Sequence, residues 1–217
     1  MVKAVIFDMD GVLIDAKEWH YEALNRALGL FGYSISRYDH LVTYDGLPTR
    51  KKLEMLSRER DLPPELHPFI NEMKQVYTLR FVHEQCAPRF IHEYALAKLK
   101  REGYRLAVCS NAIRHSVELM LSKSGILEYL EFFLSNQDVS RPKPDPEMYT
   151  TAIERLGLEP SDCLVIEDNE NGIQSARAAG AHVMVARSVN DVTYDSIMAQ
   201  IKRAPVVRSW EEVACPV

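Results

Sequence analysis

The spacing of apolar and polar positions changes character along the chain. Lys3-Ala4-Val5-Ile6-Phe7 is a short, apolar, β-branched run closed by turn residues, which predicts a buried strand. From Ala16 to about Val82 the apolar positions recur at helical spacing (Trp19, Ala23, Leu24, Ala27, Leu28; later Leu53, Leu56, Ile70, Met73, Tyr77). Pro63-Pro64 and Pro68 divide this stretch, and it contains no run that reads as a buried strand. From about Glu84 helices and strands alternate. Helices are predicted over 91–102, 113–124, 146–156 and 172–179, stopped by Gly103, Gly125, Gly157 and Gly180. Strands are predicted over 104–109, 132–135, 163–166 and 182–186, and a last helix from Asp195 precedes a short strand near Val206-Val207.

Such alternation predicts an α/β fold: a doubly wound, Rossmann-like parallel sheet whose ligand crevice lies beyond the carboxyl ends of the strands. Inserted directly after the first strand, the helical stretch would stand over that crevice. The expected organisation is therefore a discontinuous core of residues 1–15 and 83–217 with a small α-helical cap of residues 16–82.

Composition narrows the function classes. The 217 residues are 47% hydrophobic and 26% charged, a globular balance, and the net charge of −5 argues against a nucleic-acid surface. No apolar run approaches the ~18 residues of a membrane span, and Asp8 and Asp10 interrupt the N-terminal apolar stretch where a signal peptide would continue. Cys86, Cys109, Cys163 and Cys215 show no paired spacing, so they read as packing thiols of a reduced, cytoplasmic protein. A monomer or weak homodimer is expected.

The chemistry gathers at the strand ends. Asp8 and Asp10 close the first strand as Asp8-Met9-Asp10-Gly11. Two carboxylates at ~4 Å in an effective dielectric of ~20 repel by about 4 kcal/mol, so the pair calls for a cation, a shared proton or solvent. The second strand ends at Ser110-Asn111, where a helix is expected to begin; Ser110 taken alone could be an ordinary helix cap. Arg141-Pro142-Lys143-Pro144-Asp145-Pro146 follows the third strand, and Lys143 taken alone would read as a surface charge. Glu167-Asp168-Asn169 follows the fourth, with Asn171-Gly172 at a helix start, and its acids could also cap that helix. The convergence of these residues on one crevice is more specific than any single motif.

Asp8-Met9-Asp10-Gly11-Val12-Leu13-Ile14-Asp15, then Ser110-Asn111, Lys143-Pro144 and Glu167-Asp168, resembles the four ordered motifs of the haloacid dehalogenase superfamily. The likeness spans the whole chain, and the helical insertion resembles the subgroup containing β-phosphoglucomutase and small-metabolite phosphatases. The resemblance implies Mg²⁺ and phosphoryl transfer through an aspartyl-phosphate on Asp8, with Asp10 as general acid and then base. The dehalogenases of the superfamily lack an acid at the second position, so Asp10 favours phosphorus chemistry. The resemblance further implies that Asp8, Asp168 and the Asp10 carbonyl hold Mg²⁺, with Glu167 in direct contact or one shell out. Ser110 and the Asn111 amide would bind phosphate, and Lys143 would neutralise Asp8 and the phosphoryl oxygens.

The cap would set the substrate. His20 could hydrogen-bond near the leaving group or only occupy a helix face on the cap–core seam, and the turn Gly46-Leu47-Pro48-Thr49-Arg50 resembles a specificity loop in which Arg50 clamps a distal anion or only caps a helix. Lys74 and Arg114 are further substrate-binding candidates that read more simply as solvated, and Glu18, Trp19 and Tyr44 could line a sugar-sized pocket, Trp19 equally well being a core residue. Three activities follow in rank order. The first is a phosphatase acting on a small phosphorylated metabolite such as a sugar phosphate. The second is a β-phosphoglucomutase-like phosphomutase, ranked lower because Ala16 stands where the resembling enzymes carry Thr or Ser and because the 46–50 loop is one residue longer. The third is a noncatalytic, receiver-like phosphoacceptor.

Overall fold

A computed structural model describes residues 1–44 and 47–203. The expected terminal strand near Val206-Val207 lies outside the described residues, as does Gly46 of the specificity loop.

Five strands form one parallel sheet: β1 (Ala4–Phe7), β2 (Arg105–Cys109), β3 (Phe132–Leu134), β4 (Cys163–Glu167) and β5 (His182–Val185). Their order across the sheet is β3-β2-β1-β4-β5, with Val5 paired to Leu106 on one side and Leu164 on the other. β1 is fully buried because it is central and covered on both faces. Alternate side chains divide between those faces. Val5, Phe7, Leu106, Val108, Leu164 and Ile166 pack with helices α5 (Phe90–Arg101), α6 (Arg114–Lys123) and α9 (Tyr194–Arg203). Ala4, Ile6, Ala107, Cys109, Cys163 and Val165 pack with α7 (Glu147–Leu156) and α8 (Glu170–Ala178). This two-sided burial is what the unbroken apolar strand runs encode, and it fixes the doubly wound fold.

Between β1 and α5 the chain is helical. Helices α1 (Lys17–Gly29), α2 (Arg37–Asp39), α3 (Thr49–Arg60) and α4 (His67–Gln85) carry their own core of Leu24, Leu28, Ile35, Tyr44, Leu53, Leu56 and Ile70. Pro68 opens α4 within its first turn instead of breaking a helix, where its missing N–H costs nothing. Cys86, Cys109 and Cys163 are buried and free. Among the described residues no helix is long and apolar enough to cross a membrane.

Two expectations fall here. Tyr44, which could line a sugar-sized pocket, is instead 1% exposed in the core of the helical insertion, where its hydroxyl donates to Glu59 Oε2 at 3.0 Å. Trp19 packs against the main core and donates from Nε1 to Gln85 Oε1, while Glu18 faces outward and holds Arg37. For Trp19 the alternative reading as a core residue is the one the structure shows.

Candidate active site

β1 stops at Phe7, so Asp8 and Asp10 are arranged by a tight turn and not by strand alternation. Asp8 N–H still donates to Ile166 O, while Gly11 N–H bonds Ile14 O at 2.7 Å and Ile14 N–H returns to Met9 O at 2.9 Å. Gly11 sits at φ +88°, and a Cβ there would come within 2.1 Å of Asp168 Oδ2, so glycine serves both the turn and the close approach of β1 and β4.

Lys143 is the hub of the buried charges. Only 4% exposed, its Nζ donates to Asp8 Oδ1 at 2.7 Å, Glu167 Oε1 at 2.7 Å and Cys109 O at 2.8 Å, so all three ammonium protons are used. Burial alone would lower its pKa, but Asp8 and Glu167 more than reverse that and hold it above the ordinary lysine value. The loop carrying it is clamped by Asn111: Lys143 N–H donates to Asn111 Oδ1 and Asn111 Nδ2 donates to Lys143 O. The Asn111 side chain thus positions Lys143, an arrangement its place in the sequence does not announce.

Glu167 is committed on both oxygens. Oε1 accepts from Lys143 and from Tyr149 OH at 2.6 Å, and Oε2 accepts from Asp168 N–H. A Cβ on Gly172 would meet Glu167 Oε1 at 1.8 Å, so the start of α8 must be glycine for this carboxylate to fit. One oxygen each from Asp8, Glu167 and Asp168 lie within 4.8 Å of one another. Burial and the Glu167 charge push the Asp8 carboxyl well above its usual range, only partly opposed by Lys143. Three hard oxygen donors at this spacing, with more negative charge than Lys143 neutralises, fit a small divalent cation such as Mg²⁺. Lys17, at the first position of α1, reaches back to Asp168 Oδ2 at 2.6 Å.

Asp10 has the opposite electrostatics. Burial pushes its carboxyl up, but the His20 charge and hydrogen bond, with Lys74 and Lys143, outweigh that and hold it below the ordinary range. His20 Nε2 lies 3.3 Å from Asp10 Oδ1, and Lys74 Nζ lies 3.3 Å from His20 Nδ1. With Lys74 protonated, Nδ1 must accept, which puts the ring proton on Nε2 facing Asp10. Burial and the Lys74 charge, opposed by Asp10, lower the His20 pKa. Burial, and the neighbouring Lys52, bring Lys74 down to about 8. The expectation that Lys74 is solvated is therefore corrected: it is 9% exposed and turned toward His20.

These groups enclose a cavity of about 140 Å³ that Asp8, Asp10, His20, Lys74, Asn111 and Lys143 help to line. Ser110 lies buried at the tip of β2, and its Oγ accepts from Ala112 N–H at 3.1 Å. It does not cap the next helix, as α6 begins only at Arg114 after Ile113. Asn111 accordingly lies in a loop and not at the helix N-terminus. Arg50 is 89% exposed and paired with Glu54 one turn on, because its stem leaves the solvent face of α3. Arg114 is drawn to Asp138 and over the Phe133 ring, so the structure does not bring it to this cavity. The sequence reading missed Lys52, 8% exposed and lining the cavity, whose signal was its i,i+4 relation to the buried Leu56. It also missed Lys17 and Tyr149. Nothing local marks Tyr149, which sits on the apolar face of α7 among Met148, Ala152 and Ile153.

A sequence model described as haloacid dehalogenase-like hydrolase matches residues 5–186. The phosphorylated carbohydrates phosphatase of Thermotoga maritima is 29% identical over 195 residues, covering 88% of each chain. The crystal structure of CbbY from Rhodobacter sphaeroides in complex with phosphate superposes with a TM-score of 0.77 at 25% identity over 86% of each chain. The β-phosphoglucomutase of Clostridium difficile shares the fold, with a TM-score of 0.79 at 21% identity over 94% of this chain and 98% of that one.

Proposed function

The chain belongs to the haloacid dehalogenase-like hydrolases, and from that premise we propose that it is a Mg²⁺-dependent phosphatase of a small phosphorylated metabolite, a sugar phosphate, working through an aspartyl-phosphate on Asp8. The observation that carries this reading is the division between the two acids. Asp8 is gripped by Lys143 beside Glu167 and Asp168, while Asp10 faces His20 and Lys74. Neighbouring carboxylates in contrasting environments take different roles. The name of the Thermotoga maritima relative, a phosphatase of phosphorylated carbohydrates, supports the substrate class.

Asp8, Asp168 and the Asp10 carbonyl would hold the metal. Glu167, with both oxygens already accepting, would orient Lys143 and Asp168 from one shell out. The bound cation supplies charge neutralisation for the carboxylates and the phosphoryl group. Lys143 engages Asp8 Oδ1 and leaves the second oxygen to attack phosphorus, which breaks the bond to the leaving oxygen. An incoming phosphate dianion offsets Lys74 and Lys143 and so raises Asp10 toward protonation, letting it donate to the leaving oxygen. In the second half Asp10 takes a proton from water, the water oxygen attacks phosphorus, and Asp8 is regenerated with release of phosphate. We assign residues 16–82 to a cap that closes over this chemistry and take the enzyme as cytoplasmic.

The reading is tested by phosphate release from a panel of phosphorylated metabolites with Mg²⁺ and with a chelator. Turnover is expected only with the metal, and its absence across the panel would sink the proposal. Mg²⁺ is also expected to raise the melting temperature in a concentration-dependent way, by about 2.7 kcal/mol of stability at a hundredfold excess over Kd. Asp168→Asn should remove most of that shift, and an unchanged shift would contradict the assignment of Asp168.

Lys74 gives a pH prediction. Its ammonium, titrating near 8, helps to hold the phosphate dianion beside Asp10. Above that pH the charge is lost, so kcat/KM, which reports the free enzyme, should fall about tenfold per pH unit, whereas bound phosphate re-raises the Lys74 pKa and spares kcat. Lys74→Met should lack this alkaline limb; an identical limb in the variant would assign it elsewhere.

A further inference from the structure

A second cleft, of about 530 Å³, opens from the reaction cavity between cap and core and shares His20, Lys74 and Asn111 with it. An ester bound with its phosphorus at Asp8 must send its leaving group past Asp10 and His20 into this space. The size is that of a small-molecule pocket, on the order of 300–1,000 Å³.

The cleft is polar without spare charge. Its Arg50 is held by Glu54 at 2.9 Å, and its His67 is bonded to Ser57 Oγ at 2.7 Å. Its Lys74 faces His20 Nδ1 at 3.3 Å and also lines the reaction cavity, where the transferring phosphate would engage it. Among the described residues lining the cleft, the two cations Arg50 and Lys74 are thus both engaged before a ligand arrives. The core wall holds two unsatisfied atoms instead. Ser116 is 1% exposed, and its Oγ has no hydrogen-bond partner among the described residues; nor does the buried Asn136 Oδ1. A helical serine usually returns to the carbonyl four residues back, but Ala112 O already accepts from Asn136 N–H at 3.1 Å. Buried polar atoms left in this state wait for partners that a ligand can bring. Across the cleft, Gln75 and Asn71 of α4 add neutral donors and acceptors.

Resting on the phosphatase reading, we propose that the substrate is a phosphate monoester whose leaving group is uncharged and rich in hydroxyls, of sugar or nucleoside size, and that Ser116 and Asn136 are its specificity-determining contacts. Bisphosphates, pyrophosphate and phosphorylated carboxylic acids are then poor substrates, because their second anion must draw Arg50 from Glu54 or Lys74 from the reaction cavity. Specificity arises because a hydroxyl can both donate to Asn136 Oδ1 and accept from Ser116 Oγ, whereas an anionic oxygen only accepts and leaves Asn136 Oδ1 unpaired.

The test compares sugar monophosphates and nucleoside monophosphates with the matching sugar bisphosphate, pyrophosphate and phosphoglycolate, with p-nitrophenyl phosphate as a generic ester. At least one neutral-leaving-group ester is expected to exceed every second-anion compound in kcat/KM by tenfold or more. Calorimetric binding to the Asp8→Asn protein should follow the same order. Ser116→Ala and Asn136→Ala should each raise KM for the preferred ester about five- to tenfold with kcat within about twofold, and raise KM for p-nitrophenyl phosphate less. If a bisphosphate, pyrophosphate or phosphoglycolate leads while p-nitrophenyl phosphate is hydrolysed, the inference is overturned and the phosphatase reading stands. Unchanged KM in both variants would also overturn it. If nothing on the panel, p-nitrophenyl phosphate included, releases phosphate, both fall.

Discussion

Asp8→Asn is expected to abolish phosphate release, by on the order of 10⁴-fold or more, while raising the melting temperature of the metal-free protein. The activity half follows from nucleophilicity: an amide oxygen in place of a carboxylate does not form the acyl-phosphate. The stability half follows from the folded-state electrostatics. Burial and Glu167 push the Asp8 carboxyl above its unfolded value. A carboxyl raised in this way stabilises the fold while protonated, below its unfolded pKa, and loses that contribution as pH rises through the folded value. The charge on Asp8 therefore opposes folding of the metal-free protein, and a neutral isostere removes the opposition. Each ~1 kcal/mol recovered is worth about 2–4 °C in a chain of this size. Lys143 keeps Glu167 and Cys109 O as partners, so the substitution leaves no orphaned cation. Calorimetry at neutral pH with chelator checks the shift, and a lowered melting temperature would mean that Asp8 is a structural partner of Lys143 before it is a nucleophile.

The core and its strand tips were legible because each signal was local and unopposed. A run such as Cys163-Leu164-Val165-Ile166 has no reading except a doubly covered strand, and an acid pair at its end has nowhere to be but the crevice. Lys143 became legible only through the order of the motifs, since a lysine between prolines is ordinarily a surface charge. The cap was read less well for a physical reason. A lysine on a helix is expected to run its stem over the apolar face and carry its charge to water, yet Lys52 and Lys74 turn inward because the reaction cavity lies under their helices. Arg50, paired with Glu54 one turn along, lies outside the reaction cavity but lines the wider cleft that opens from it. Tyr149 is invisible from sequence because its ring belongs to the apolar stripe of α7 and only its hydroxyl belongs to the site.

Lys143→Met is expected to cost about 3–5 kcal/mol of stability, the range for removing one partner of a buried ion pair, or about 6–20 °C in melting temperature. The methionine fills the volume but leaves Asp8 and Glu167 buried beside one another without their shared cation. The lysine's raised pKa has the sign of a stabilising cation: its contribution is fully present below the unfolded value and is lost only as pH climbs through the higher folded one, so at neutral pH nothing of it is missing. Two further readouts separate charge from packing. With Lys143 gone the Asp8 carboxyl titrates higher still, so the deficit against the wild-type protein should shrink as pH falls toward 5, whereas a packing defect is indifferent to pH. Mg²⁺ should recover part of the deficit, because a divalent cation among Asp8, Glu167 and Asp168 replaces some of the missing charge. Turnover should not recover with it. The metal neutralises the carboxylates, but the ammonium that holds Asp8 Oδ1 and faces the transferring phosphoryl oxygens is absent, and a loss of about 10²–10³-fold at saturating Mg²⁺ is the scale for one preorganised charge donor. A variant as stable as the parent at pH 7, or as active in Mg²⁺, would remove Lys143 from the centre of this site.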